Sequence, residues 1–208
     1  MRKWRKSTGE AKRWTTFDVQ PMSRGARRVM RGKRRLGQHF LEPAWADKLV
    51  AAIAPKPGDR VIEIGPGPGA LTLRLAPLVR HITAVELDKA MVAALKPKLP
   101  ANVELIQQDF LEFDLSALGN AGSFRVVGNL PYNVSSPILF RLIREVRERG
   151  RLTDATIMLQ HEVAERLEAP EGSRDYGVLA ILVQVHADVR RLLTLPPGAF
   201  RPMPAVRS

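Results

Sequence analysis

The 208-residue sequence contains no cysteine. That excludes a disulfide framework and thiolate metal sites, and it fits a reducing compartment. No apolar run approaches the ~20 residues needed to span a bilayer. No apolar stretch follows the basic start, as a secretory signal would require. The only histidines are His39, His81, His161 and His186, and none stands among acids at metal-ligand spacing. No Ser/His/Asp arrangement is present either. What is left is a globular chain, 45% hydrophobic, long enough for one domain with a substantial core, and expected to work without a metal and away from membranes.

The net charge of +12 is unevenly placed. Residues 1–35 hold 13 Lys/Arg against Glu10 and Asp18, whereas residues 36–208 are nearly neutral. The expected organisation is therefore a basic, flexible arm over 1–35 and one folded domain over 36–208. A basic arm suggests a polyanion, most simply nucleic acid. The competing readings are an organelle-targeting peptide or an added leader.

Along the rest of the chain, short apolar runs alternate with helical patterns. "RVIEI", "HITAVE", "VELIQ", "FRVVGN", "ATIMLQ" and "VRRLLTLP" read as six strands, the last at about Val189 to Leu195. Helices are expected in "EPAWADKLVAAIA", "GALTLRLAPLV", "DKAMVAALKPKL", from a Ser136 cap with Pro137 at the first position to about Arg149, and in "EVAERLEA" and "YGVLAILVQVHA". The alternation predicts an α/β fold, a mainly parallel sheet with helices on both faces. Such sheets bind ligands at the C-terminal ends of their strands, and the unusual residues all fall there.

"EIGPGPGA" occupies the first strand–helix turn. Gly65, Gly67 and Ala70 satisfy a dinucleotide pattern, and Gly65, Gly67 and Gly69 equally satisfy the G-x-G-x-G turn of methyltransferases that use S-adenosylmethionine. Pro66 and Pro68 lack the N–H donors a pyrophosphate wants, which weakens the dinucleotide reading. A plain tight turn is the bland alternative. Glu86 closes the second strand, where an acid can accept both ribose hydroxyls of an adenosine-containing ligand. Asp109 follows the third strand, as an acceptor for an adenine amino group or as an ordinary turn-capping Asp.

"NLPY" follows the fourth strand. The nitrogen of an adenine amino group is a poor nucleophile because its lone pair is spread into the ring. The side-chain oxygen of Asn129 and the carbonyl of Leu130 can hold its hydrogens so that the lone pair points outward. Pro131 stiffens the turn, and Tyr132 can stack on a base taken out of its helix. Phe200, in "AFRPMP", is a candidate second aromatic wall, with a core residue beneath a loop as its alternative.

Together these segments resemble the small-subunit ribosomal RNA adenine dimethyltransferases. "LGQHFL", "EIGPGPGALT", "ELD", "QQDFLEF", "GNLPYNVSSPILF", "MLQHEVAERL", "YGVLAILVQ" and "PPGAFRPMPAVRS" stand in that family's order over about Arg34 to Ser208. The resemblance implies a class I methyltransferase fold with S-adenosyl-L-methionine as cofactor. It implies dimethylation of N6 on two adjacent adenosines in a hairpin near the 3′ end of small-subunit rRNA, within a pre-ribosomal particle. By the same resemblance His39, Leu41, Gly65, Gly67, Glu86, Asp109 and Asn129 fall at cofactor positions, with many members carrying Asn in place of His39. Asn129, Leu130, Pro131 and Tyr132 match the base-gripping motif, and Phe200 its aromatic partner. A cytoplasmic monomer is the matching expectation, with an organelle as the alternative if the arm is a transit peptide. The rival functions are a non-catalytic assembly factor on pre-ribosomes and a large-subunit rRNA adenine dimethylase. Members of the family also carry a last strand, antiparallel between the fifth and sixth, and a small helical domain. Without them, the sixth strand is expected to leave a gap towards the fifth.

Overall fold

The structure, a computed structural model, describes residues 40–118, 122–130 and 134–203. The basic arm and three expected site residues, His39, Pro131 and Tyr132, lie outside the described residues.

The chain enters through a two-residue strand, β1 (Phe40–Leu41), and helix α1 (Pro43–Ile53). Pro43 starts that helix, where its missing N–H costs nothing. Then come β2 (Arg60–Ile64), α2 (Thr72–Leu75), β3 (His81–Glu86), α3 (Lys89–Leu95), β4 (Val103–Gln107) and β5 (Phe124–Asn129). The chain continues through α4 (Ser135–Arg149), β6 (Leu152–Met158), α5 (His161–Glu168), α6 (Val178–Gln184) and β7 (Phe200–Arg201). Five of these strands form a parallel sheet in the order β4-β3-β2-β5-β6, and β1 pairs with β7 antiparallel.

The helices differ from expectation mainly at their ends. Pro77 and Pro97 turn the last residues of the second and third helices into 3-10 turns, because a proline removes an amide from the α-helical ladder. Asp88, not a serine or threonine, caps α3, its side chain accepting from the amides of Ala90 and Met91. The fourth helix begins at Ser135 with Val134 in the cap position. Gly150, at φ 62°, closes it and donates to the carbonyls of Glu145 and Val146.

Both faces of the sheet are buried, as its apolar strands require. One layer packs Leu49, Val50 and Ile53 of α1 with Leu75 and Ala76 against Val61, Ile82 and Val127. The other packs Ile138, Leu139 and Leu142 of α4 with Leu167 and Val183 against Ile62, Val85 and Val126. At the opposite end from the strand C-termini, Arg125 ties the layers together. Its guanidinium donates to Asp59 at 2.8 Å, to Asp154 at 2.9 Å and to the carbonyls of Ile53 and Ala54. Burial alone would raise the Asp59 pKa, but the Arg125 hydrogen bond and charge outweigh it and hold that carboxyl below its usual value.

The expected sixth strand is not formed. Residues 188–196 have no regular structure, and β6 is the edge of the sheet among the described residues. A groove of about 690 Å³ separates β6 from this segment, lined by Thr156, Met158, Val189, Leu193 and Leu195. The apolar run predicted a strand, but a strand is defined by its ladder. No strand of the described residues pairs with the run, and only Leu195 of it is fully buried.

Candidate active site

The strand order reverses at β2, which has β3 on one side and β5 on the other. That switch point opens a crevice beyond the strand ends. Register brings the expected residues to it from four strands. Ile64 pairs with Val85 and with Gly128, and Glu86 pairs with Gln107. Val85 also pairs with Ile106, so Gly65, Glu86 and Asn129 stand one residue, and Asp109 three residues, beyond a common line at the C-terminal end of the sheet.

The glycine-rich turn is held from two directions. The Gly65 amide donates to the Val85 carbonyl at 2.9 Å, and the Gly69 amide to the Pro66 carbonyl at 2.9 Å. Gly65 and Gly69 have φ of 65° and 91°, backbone that side chains resist. Gly65 has open space where a Cβ would stand, but at Gly69 a Cβ would sit 2.5 Å from Leu95 Cδ1. The two glycines thus answer different needs. Gly69 lets the turn lie on α3, and Gly65 leaves the crevice open. The Phe40 ring lies over Gly67, a contact the sequence did not suggest.

Glu86 is buried, with only 5% of its surface exposed. One carboxylate oxygen accepts the Gly67 amide at 3.0 Å and the other accepts the Asp88 amide at 2.9 Å. Each oxygen keeps a second lone pair, so the carboxylate fixes the turn and can still accept two ribose hydroxyls. The adenosine half of the expected cofactor therefore fits what is present: an open glycine turn without an intruding Cβ, beside a carboxylate already oriented.

Asp109 realises the bland alternative at least in part. Its Oδ1 accepts the Leu111 amide at 2.8 Å, and its carbonyl accepts from Glu112 and Phe113. Arg141, on α4, locks the same turn by donating to the carbonyls of Leu111 and Phe113 while its guanidinium lies over the Phe110 ring. This positioning role left no sequence signal beyond one arginine on a helical face.

Asn129 ends β5, partly buried, opposite Met158. The Leu130 side chain is buried in the core, and its amide donates to the Met158 carbonyl at 3.3 Å. That leaves only the backbone carbonyl of Leu130 free for the role at a base that the sequence reading gave it. Leu41 is likewise a core residue, paired with Phe200. Phe200 departs from its expected place as an aromatic wall. It is 1% exposed and packs with Leu41, Leu49 and Met158 in the core cluster. The β1–β7 pairing drives it inward, because period-two alternation turns Phe200 in and Arg201 out, where Arg201 donates to Glu42.

One residue with a marked chemical signature escaped the sequence reading. Glu63 lies within β2, fully enclosed, and its Oε2 completes no hydrogen bond; nor does the hydroxyl of buried Thr72. Burial pushes the Glu63 carboxyl up to about 7; the Thr72 hydroxyl and amide lie near enough to draw it down without completing a well-formed bond to Oε2, and Glu86 raises it further. An acid inside the apolar run "RVIEI" was the available signal. Among the described residues no cluster could hold a metal ion, and no helix is long and apolar enough to cross a membrane.

Comparison with known proteins agrees with this fold. The family described as Ribosomal RNA adenine dimethylase matches residues 29–208. The Ribosomal RNA small subunit methyltransferase A of Acidithiobacillus ferrooxidans is 44% identical over 181 residues, 86% of this chain and 67% of its own length. That of Pseudomonas fluorescens is 46% identical over 182 residues, 86% of this chain and 66% of its own length. Among solved structures, a dimethyladenosine transferase from Plasmodium falciparum superposes with a TM-score of 0.71 at 30% identity, covering 81% of this chain and 60% of that one. The 23S rRNA methyltransferase ErmE superposes with a TM-score of 0.61 at 26% identity, covering 81% of this chain and 66% of that one. The chain thus spans about two thirds of the length of these relatives. With the fold, the glycine-rich turn and the acids at the strand ends, the match over residues 29–208 shows that the chain belongs to the ribosomal RNA adenine dimethylase family.

Proposed function

We propose that this chain uses S-adenosyl-L-methionine to dimethylate N6 of two adjacent adenosines in a hairpin near the 3′ end of small-subunit rRNA, in a pre-ribosomal particle. The observation that carries the reading is the convergence of Gly65, Glu86, Asp109 and Asn129 at the switch point of the sheet. The cofactor supplies an electrophilic methyl group. Glu86 accepts the ribose hydroxyls, the turn admits the ligand at Gly65 while Gly67 under Phe40 serves the cofactor by holding Glu86, and Asp109 accepts from the cofactor's adenine amino group. His39 and the Leu41 backbone complete that side.

Asn129 and the Leu130 carbonyl accept the two hydrogens of the target amine, which turns its lone pair towards the methyl group. The hydrogen bond from the Leu130 amide to the Met158 carbonyl and the buried Leu130 side chain keep that carbonyl from drifting. Pro131 stiffens the turn and Tyr132 stacks on the flipped base. No strong general base is needed, because the amine sheds its proton readily once it carries positive charge. Phe200 acts from the core by holding β7 beneath the site.

The curated relatives named above are bacterial, which leaves the organellar reading of the arm without support. A cytoplasmic monomer with the arm on RNA backbone is the matching proposal. The test incubates the chain with labelled S-adenosylmethionine and unmethylated small subunits, then identifies the modified nucleoside by mass spectrometry. N6,N6-dimethyladenosine is expected, and its absence at saturating enzyme refutes the catalytic reading. Tyr132→Ala is expected to keep affinity for S-adenosylhomocysteine while transfer falls.

A further inference from the structure

Glu63 and Glu86 are two buried carboxyls on adjacent strands, directly under the glycine-rich turn. Glu63 pairs with Ala84 in the ladder, two residues before Glu86. Their circumstances differ. Both oxygens of Glu86 accept backbone amides. Glu63 Oε2 is enclosed without a completed hydrogen bond, and the Thr72 hydroxyl beside it is in the same position. The groups that bear on Glu63 are Thr72 from α2, which is neutral, and Glu86 from β3, which repels a second negative charge. No cation is among them, so the Thr72 hydroxyl and amide alone favour a charge on Glu63 until a positive ligand arrives.

The proposed cofactor and its product differ in charge at one atom. S-adenosylmethionine carries a sulfonium cation, and S-adenosylhomocysteine carries a neutral thioether. We propose that Glu63 is a specificity-determining residue that makes the site prefer the cationic cofactor over the neutral product, by taking a negative charge beneath the turn when the sulfonium is bound and giving it up when it is not. This rests on the adenosyl-cofactor reading of the site given above. The sign follows from linkage. A cation near Glu63 favours its ionised form, so binding the sulfonium releases a proton, and affinity for it rises with pH. The neutral product offers no such compensation, so its affinity gains nothing from ionised Glu63. Since burial and Glu86 place the Glu63 transition near neutrality, the discrimination changes over the physiological range. Product release after each transfer would then be assisted by reprotonation of Glu63.

The test measures dissociation constants of the full chain for S-adenosylmethionine and S-adenosylhomocysteine at pH 6 and pH 7.5, in wild type and in Glu63→Gln. Gln keeps the size and removes the charge. Wild type is expected to shift its cofactor-to-product preference by about three- to tenfold towards the cofactor over this range, as one linked proton allows. Glu63→Gln is expected to hold a nearly constant ratio, whatever its absolute affinities. The comparison cancels titration of the ligands' own amino groups. A purely structural Glu63 would change both affinities together and leave the ratio's pH dependence in place, which overturns the proposal. If the variant does not fold, carbon-13 carboxyl titration of Glu63 in the wild-type chain decides. Its midpoint is expected to fall with S-adenosylmethionine and not with the product, and an equal response to both overturns the idea. Failure of both ligands to bind at either pH would instead refute the underlying reading of the site.

Discussion

Replacing Gly69 with alanine should damage the fold, whereas the same change at Gly65 should damage mainly the site. At Gly69 two costs combine. The backbone has φ 91°, and holding an alanine in left-handed backbone costs ~1–2 kcal/mol. The added methyl also stands 2.5 Å from Leu95 Cδ1. Leu95 is wholly buried, so it cannot swing into solvent, and such overpacking adds ~1–3 kcal/mol. The total of about 2–5 kcal/mol corresponds to roughly 5–15 °C in melting temperature for a domain of this size. Gly65 has φ 65° and open space around its Cβ position, so only the backbone cost applies, and a drop of roughly 2–8 °C is expected. Its new methyl would stand where the ligand approaches. Thermal melts with and without S-adenosylhomocysteine measure both effects. Gly69→Ala should melt well below Gly65→Ala but gain stability from ligand, while Gly65→Ala should gain little. Equal melting points in the absence of ligand would refute the packing argument, and a full ligand response in Gly65→Ala would remove that glycine from the site.

Glu86→Ala should weaken S-adenosylhomocysteine binding about ten- to a hundredfold, equivalent to losing ~1.5–3 kcal/mol of charge-assisted bonding. Calorimetry checks this, and the variant should also melt lower because the Gly67 and Asp88 amides lose their acceptor; unchanged affinity would exclude Glu86 from the site. Arg125→Met should cost about 3 kcal/mol in urea unfolding, since Asp59, Asp154 and two carbonyls lose their shared donor, yet leave cofactor affinity intact because Arg125 sits at the far end of the strands. Because Arg125 holds Asp59 below its ordinary carboxylate value, the stability Asp59 contributes is present above that value and is lost as pH falls through its depressed folded-state pKa. Acid unfolding should therefore be less steep in the Arg125 variant, and an identical acid transition would count against this pairing.

Much of this molecule was legible from local pattern. Five of the expected strands stand where their apolar runs place them; the inner three are apolar because both their faces are buried, while β4 and β6 at the edges keep exposed residues. The glycine turn, Glu86, Asp109 and Asn129 were found at strand ends because only unusual residues interrupt such runs there. Local pattern could not separate a residue facing the crevice from one facing the core. "AFRPMP" looks equally suited to either, and only the β1–β7 register turned Phe200 inward. The run around Leu192 and Leu193 had strand composition, but strandhood belongs to a pair of segments, and no described neighbour completes the pair. Glu63 read as one polar letter in a strand. Its chemistry arises from Thr72 and Glu86, residues 9 and 23 positions away in sequence, closing over it in space. Composition and period depend on each residue's own side chain and determined the elements. Burial and charge depend on which elements meet, and those were decided only when the sheet closed around its switch point.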